Sequence, residues 1–83
     1  MTSPITMYGA EWCIDCRRAK TLLETKGVEF DYIDLEAIPS AADAALAISG
    51  RTNIPVITFP DGTHQVEPSN ADLEAKLVEV GVL

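Results

Sequence analysis

One stretch of this 83-residue chain decides the fold: residues 5–27 read ITMYGAEWCIDCRRAKTLLETKG. The first four of these residues form a β-prone run, which Gly9 ends. The residues from Cys13 to Lys26 are all compatible with a helix, and Gly27 stands where the glycine that follows a helix belongs. The sequence therefore predicts a strand followed by a helix, with two cysteines at the point where the helix begins.

Working outward, the rest of the chain continues this alternation of strand and helix. Further elements are predicted at 29–34 (strand), 40–49 (helix), 54–59 (strand), 63–66 (strand) and from 69 onward (helix). Right-handed crossovers around the first two helices predict parallel pairing of the first strands, and the turn Pro60-Asp61-Gly62 predicts a closing hairpin. The order β-α-β-α-β-β-α gives an α/β fold, a four-stranded mixed sheet with helices on both faces, which is the minimal thioredoxin-like arrangement.

Two of the predicted helices begin with a capping signal. Ser40 precedes Asp43 by three residues, and Ser69 precedes Asp72 by the same spacing. A serine hydroxyl at such a position accepts a hydrogen bond from a backbone N–H of the first turn, and a carboxylate three residues on completes the capping pattern. We therefore expect both serines to act as N-caps.

Length, composition and charge limit the class of protein. A chain of 83 residues has room for one domain, spanning residues 1–83, and 47% apolar with 23% charged residues is ordinary globular usage. A net charge of −7 disfavours nucleic acids and anionic membranes as partners. Residues 1–8 lack the basic and apolar regions of a signal peptide, and no apolar run could span a bilayer. We expect a cytoplasmic monomer.

The two cysteines, Cys13 and Cys16, are the candidate reactive groups. Free backbone N–H groups and the helix dipole at a first turn favour a thiolate at Cys13. Cys16 lies three residues later on the same helical face, within reach of the first sulfur. This spacing suits a two-step exchange in which Cys13 attacks a disulfide and Cys16 then resolves the mixed disulfide.

The side chains beside the pair act in opposite directions. Arg17, with the arginine that follows it, would favour a thiolate or an anionic substrate, whereas Glu11 and Asp15 disfavour a second negative charge. Trp12 precedes the first cysteine and would shield one side of its sulfur. We expect Trp12 and Arg17 to contact the substrate.

A structural metal site is the alternative reading of the cysteine pair. Zinc in such sites takes four ligands, and beyond the cysteines the chain offers only His64 and carboxylates. No metal is therefore expected, and redox chemistry is favoured.

Five stretches of the chain carry a resemblance to a known family. Residues 8–20, YGAEWCIDCRRAK, resemble the active-site segment of the glutaredoxins, and residues 51–56, RTNIPV, are similar to their cis-proline segment. More narrowly, residues 59–64, FPDGTH, followed by EPS at 67–69 and EAKL at 74–77, resemble the mycoredoxins. That branch serves the low-molecular-weight thiol mycothiol. The resemblance covers essentially the whole chain.

This resemblance implies a role for several residues. Cys13 would be the nucleophile and Cys16 the resolving thiol. Pro55 would follow a cis peptide bond and present the backbone of Ile54 to the substrate. Two further residues, Ser69 and Asn70, match the region that holds the carboxylate-bearing end of the thiol in glutaredoxins, where free N–H groups would bind it.

The resemblance also implies the co-substrate and the partners. The protein would bind no cofactor and would use a low-molecular-weight thiol, mycothiol, as co-substrate, with protein mixed disulfides or disulfides as targets. Two departures from the family pattern disfavour glutathione. Ile14-Asp15 stands where glutaredoxins commonly carry Pro-Tyr, and Val66-Glu67-Pro68 stands where glutathione-dependent members carry Gly-Gly.

Two alternatives share the cysteine motif. In the first, a flavin enzyme, thioredoxin reductase, supplies the electrons, as for redoxins that serve ribonucleotide reductase. In the second, two chains share an iron–sulfur cluster through Cys13 and a bound thiol. Family members that do so usually have a small residue at the second position, where this chain has Cys16.

Overall fold

The computed structural model describes residues 5–83 and has the predicted order of elements. Two predictions involve residues outside this range and stay predictions: that a single domain spans residues 1–83, and that residues 1–8 do not form a signal peptide. Within residues 5–83, no helix combines the length and apolar character that crossing a membrane requires. The elements are β1 (Thr6–Gly9), α1 (Ile14–Thr25), β2 (Asp31–Asp34), α2 (Ala41–Ser49), β3 (Val56–Thr58), β4 (His64–Val66) and α3 (Asn70–Glu79).

The four strands form one mixed sheet in the order β2-β1-β3-β4. β1 and β2 are parallel, with Gly9 beside Asp34, and β3 and β4 form the predicted antiparallel hairpin. The expectation of a second parallel crossover was wrong, because β3 runs antiparallel to β1 and begins with Val56 beside Tyr8. The physical reason is the course of α2. That helix contacts β1 and β4, the two neighbours of β3, so it lies across the sheet and brings the chain into β3 at the end where β2 stops.

The main core lies between one face of the sheet and the helices α1 and α3. Alternation along β1 sends Ile5 and Met7 to this face, and both are fully buried. α1 and α3 contribute buried apolar side chains at helical spacing: Ala19, Leu23, Leu73 and Leu77. α2 buries only Ala45, which is outside this cluster, so α2 covers the opposite face and the predicted layering is confirmed.

The two predicted serine caps differ in the structure. Ser69 has extended backbone dihedrals, and its Oγ accepts a hydrogen bond of 3.1 Å from the N–H of Asp72, as predicted. The prediction for Ser40 was wrong. Its backbone is already helical, so its hydroxyl makes no capping bond, and the N–H of Asp43 instead donates to the Ser40 carbonyl at 3.2 Å. The turn formed by residues 38–41 therefore continues directly into α2.

Candidate active site

Cys13 is the N-cap residue of α1. Its backbone is extended, and its Sγ accepts a hydrogen bond of 3.2 Å from the N–H of Cys16. A tight turn leads into this position, closed by a bond of 3.1 Å from the Cys13 N–H to the Ala10 carbonyl. The Cys13 side chain is half-buried. Its sulfur therefore combines access from solvent with the N–H donors of a helix N-terminus.

Cys16 is the buried member of the pair. Only 1% of its surface is exposed, and the residue belongs to the main core. Burial, followed by the side-chain hydrogen bond to Cys13, raises the pKa of the Cys16 thiol to about 12, although the backbone of Ala10 acts in the opposite direction. Both cysteines are free thiols. The two sulfurs thus differ in the way that a stepwise exchange requires, with one accessible and the other protonated and covered.

The proline segment lies directly against the Cys13 sulfur. The Ile54–Pro55 peptide bond is cis, which confirms that prediction. The Cys13 thiol donates to the Ile54 carbonyl across 3.8 Å, a distance within the range for sulfur. Pro55 is buried and Ile54 partly buried. The structure therefore brings together four of the predicted site residues, two cysteines and two residues of this segment.

An apolar surface flanks the accessible sulfur. Trp12 is 68% exposed and Ile14 is 72% exposed, although both side chains are large and hydrophobic. Arg17 is exposed as well, and among residues 5–83 its guanidinium makes no hydrogen bond or ion pair. Exposed apolar groups next to a reactive sulfur indicate a surface that another molecule covers.

A shallow groove of about 490 Å³ joins this surface to the start of α3. Its lining includes Ile14, which follows Cys13 in the chain, and Asn70, the first residue of α3. Its lining combines guanidinium, hydroxyl and amide groups with the apolar side chains of Ile14 and Leu22. The remaining lining residues are Arg17, Arg18, Thr21 and Thr25.

The two residues predicted at the start of α3 are occupied by contacts within the chain. The Ser69 hydroxyl caps its own helix, and Oδ1 of Asn70 accepts a hydrogen bond of 2.6 Å from Arg18. The same guanidinium donates to the Pro68 carbonyl at 3.0 Å and lies 3.4 Å from the Asp15 carboxylate. Sequence reasoning placed Arg18 near the sulfur but missed this link between two helices, because no local pattern relates residues 52 positions apart.

Sequence reasoning also missed a second set of contacts, which links Tyr32, Glu11 and Lys20. The Tyr32 hydroxyl donates to the Glu11 carboxylate at 2.9 Å, and Lys20 Nζ lies 3.6 Å from that carboxylate and 4.5 Å from the centre of the tyrosine ring. The sequence contained one usable signal, since Lys20 follows Cys16 by four residues and therefore occupies the same face of α1.

In the part of the chain that the structure describes, no three cysteine, histidine or carboxylate side chains lie close enough to hold a metal ion.

The topology and the site together define a class of protein: a thioredoxin-like fold with a Cys-x-x-Cys pair at the start of its first helix and a cis-proline facing it. A family model described as Glutaredoxin matches residues 5–65, well over half of the chain. The chain belongs to the glutaredoxin family. Membership implies thiol–disulfide oxidoreductase activity in general.

Individual relatives and solved structures agree with this assignment. Mycoredoxin 1 from Corynebacterium glutamicum is 32% identical over 76 residues, which are 90% of this chain and 94% of the relative. A glutaredoxin from Archaeoglobus fulgidus superposes with a TM-score of 0.80 over 88% of this chain and 84% of its own, at 24% identity, and so supports the fold. The glutaredoxin-like protein NrdH-redoxin from Escherichia coli gives a TM-score of 0.73 at 27% identity, over 86% and 91% of the chains.

Proposed function

We propose that this glutaredoxin removes mycothiol from proteins, with Cys13 as the nucleophile and Cys16 as the thiol that completes the reduction of protein disulfides. The observation that carries the proposal is the difference between the two sulfurs. The Cys13 sulfur is accessible and held by the Cys16 N–H at 3.2 Å, whereas Cys16 is 1% exposed. Only one of the two can meet a large substrate.

The chemistry is thiol–disulfide exchange. The Cys13 sulfur attacks the mycothiol sulfur of the mixed disulfide, the protein sulfur leaves with the electron pair, and it takes up a proton as the reduced protein thiol. A second mycothiol, as its thiolate, then attacks the mycothiol sulfur of the Cys13 adduct. Mycothiol disulfide forms, the bond to Cys13 breaks, and the Cys13 sulfur leaves with the electron pair. The N–H groups at the start of α1 stabilise negative charge on Cys13 each time it is the leaving group.

Two features of the groove support an uncharged, hydroxyl-bearing thiol. Guanidinium, hydroxyl and amide groups beside apolar side chains match the sugar part of mycothiol, which can offer both hydrogen bonds and C–H faces. At the start of α3, the Ser69 hydroxyl already caps the helix and Asp72 adds a negative charge to its first turn. A carboxylate, such as those of glutathione, is therefore less favoured there than in an uncapped helix.

A second candidate, a redoxin supplied by thioredoxin reductase, is favoured by the apolar surface around the nucleophile. Trp12 and Ile14 expose most of their surface on either side of Cys13. Large exposed apolar side chains suit a protein partner better than a small polar thiol. The similarity to NrdH-redoxin over 86% of this chain supports the same reading.

NADPH oxidation distinguishes the two candidates. The purified protein would be given a mixed-disulfide substrate with three electron supplies in turn: mycothiol with its reductase, glutathione with its reductase, and thioredoxin reductase alone. Cys16→Ser and Cys13→Ser variants would be measured beside the native chain. Cys16→Ser is a close steric match and retains a short side chain in the core.

We expect turnover with mycothiol that Cys16→Ser retains and Cys13→Ser abolishes. Turnover supplied by thioredoxin reductase alone and lost in Cys16→Ser would establish the second candidate instead. Turnover with glutathione at a rate equal to that with mycothiol would contradict the preference for an uncharged thiol.

A further inference from the structure

The Cys16 sulfur is covered in part by Gly9 of the neighbouring strand β1. A methyl group on Gly9 would lie 3.0 Å from Sγ of Cys16 and 3.4 Å from Cε1 of Tyr32. The sulfur and the aromatic ring are therefore both packed against the same backbone position of β1. Register places Tyr32 opposite Met7, on the face of the sheet that carries α1. The tyrosine ring thus forms part of the wall around the buried thiol.

The tyrosine is fixed at its polar end. Its hydroxyl donates to the Glu11 carboxylate at 2.9 Å, and the Lys20 ammonium lies between the carboxylate and the ring, 3.6 Å from the first and 4.5 Å from the centre of the second. Burial and the Glu11 carboxylate raise the pKa of Tyr32 above its usual value, so the hydroxyl stays a hydrogen-bond donor over the pH range of thiol exchange. We call Glu11, Lys20 and Tyr32 together the Tyr32 clamp.

The clamp holds the turn that carries the nucleophile. Glu11 follows Ala10, whose carbonyl accepts the hydrogen bond from Cys13 that closes this turn. Lys20 belongs to α1 and Tyr32 to β2, so the clamp joins the turn to the helix that carries Cys16 and to the strand β2. An unclamped turn could move away from the sheet and uncover the second sulfur.

We propose that Glu11, Lys20 and Tyr32 are positioning residues that keep the Cys16 sulfur closed to external molecules and direct it to Cys13 alone. This inference rests on the proposed roles of the two cysteines. In the step concerned, the Cys16 sulfur forms a bond to the Cys13 sulfur and the bond from Cys13 to the substrate sulfur breaks. The electron pair of that bond and the proton of Cys16 go to the leaving sulfur. The clamp enforces the order in which the two cysteines react.

Labelling of Cys16 by iodoacetamide tests the closing function without any electron supply. In a Cys13→Ser background the Cys16 thiol is the only thiol present, and Tyr32→Phe removes the hydroxyl while retaining the ring. We expect Tyr32→Phe to raise the labelling rate at least fivefold. The matched control is Tyr8→Phe, because Tyr8 lies on the opposite face of the sheet and its hydroxyl makes no hydrogen bond within residues 5–83. That control should change the rate less than twofold.

Release of an aromatic thiol from a mixed disulfide at Cys13 tests the directing function. In the otherwise native chain, attack by Cys16 releases the coloured thiol in a single turnover, and we expect Tyr32→Phe to slow this release at least threefold. Lys20→Arg keeps the cation and should release the aromatic thiol at a rate near that of the native chain. Lys20→Met lacks the cation and should be slowed as Tyr32→Phe is. If Lys20 contributed only packing, the release rate would not depend on whether its replacement carries a positive charge.

The outcomes separate the two proposals. If the native chain fails to release the aromatic thiol, the resolving role of Cys16 is wrong whatever the clamp does. If the native chain releases it and Tyr32→Phe changes neither the labelling nor the release rate, the clamp is wrong and the role of Cys16 stands. A faster labelling rate in Tyr8→Phe equal to that in Tyr32→Phe would also overturn the clamp.

Discussion

Nη1 of Arg18 lies 2.6 Å from Oδ1 of Asn70 and so joins α1 to the first turn of α3. The same guanidinium donates to the Pro68 carbonyl at 3.0 Å. One side chain therefore fixes the helix that begins at the cysteine pair against the far end of the groove. This geometry uses the planar fork of arginine, which an ammonium group lacks.

Arg18→Lys should therefore lower the free energy of unfolding by about 1 kcal/mol, because a lysine cannot serve both acceptors at once. Urea unfolding measures this change. Arg17→Lys is the matched control, since the Arg17 side chain is exposed and makes no polar contact in the described part of the chain. The prediction fails if the two arginine variants lose equal stability. A double-mutant cycle with Asn70→Ala isolates the pair from the contact with Pro68.

Gly9→Ala should destabilise the fold and disturb the second cysteine. The added methyl would lie 3.0 Å from Sγ and 3.2 Å from Cβ of Cys16, closer than ordinary packing allows in a buried site. Overpacking of this kind costs about 1–2 kcal/mol. Urea unfolding of Gly9→Ala in the native and Cys16→Ala backgrounds checks the cause. The cost should fall when the sulfur is absent, and an unchanged cost would assign the strain to another neighbour.

Stability should decrease at alkaline pH because of Cys16. Burial raises its pKa from 9.0 to about 12, so between these values the folded chain binds a proton that the unfolded chain has released. The free energy of unfolding then falls with rising pH, and the stability is complete only below about 9. Urea unfolding at intervals from pH 8 to 11 should show a steeper fall for the native chain than for Cys16→Ala. Parallel curves would contradict this prediction.

The turn between β3 and β4, which contains Asp61, should contribute less to the free energy of unfolding in acid. Asp61 accepts hydrogen bonds from Lys76 at 2.8 Å and from the Thr63 hydroxyl at 2.6 Å, and these contacts, the lysine first, lower the pKa of Asp61 to about 2. Its contribution to stability is present above the usual aspartate value and is lost as the pH falls through about 2. Asp61→Asn should therefore be less stable than the native chain at pH 6, with the difference disappearing near pH 2.

A second aspartate provides the comparison for this experiment. The Asp43 carboxylate makes no hydrogen bond or ion pair with the residues that the structure describes, so Asp43→Asn should show little of this pH dependence. Thermal unfolding across pH 2–7 measures both variants. An equal response of the two would mean that the tie to Lys76 has no measurable effect.

The local features of the fold were predictable because each depends on neighbouring residues. Strand and helix positions follow from hydrophobic periodicity, and Gly27 ends α1 with a left-handed backbone, as its position predicted. The Ser69 cap likewise depends on a spacing of three residues. Ser40 shows the limit of such rules, since the same spacing is present but the preceding turn already gives this serine a helical backbone.

Apart from the Ser40 cap, the features that escaped prediction are relations between distant parts of the chain. The direction of β3 depends on how α2 crosses the sheet, which no residue pattern within either element encodes. The Arg18–Asn70 bond and the Tyr32 clamp depend in the same way on which helices and strands become neighbours. For the site, the sequence indicated the cysteine pair and the cis-proline, whereas the contacts that hold them in place required the structure.

The Cys13 sulfur is also the atom that caps α1, so the nucleophilic role proposed for Cys13 would link catalysis to the energy of the helix. A sulfur in a disulfide is a weaker hydrogen-bond acceptor than a thiolate, so every covalent adduct at Cys13 weakens the bond from the Cys16 N–H. Breaking the adduct restores that bond. In the proposed reaction, the helix would therefore favour the free enzyme over the intermediate, and regaining its cap would contribute a driving force to product release.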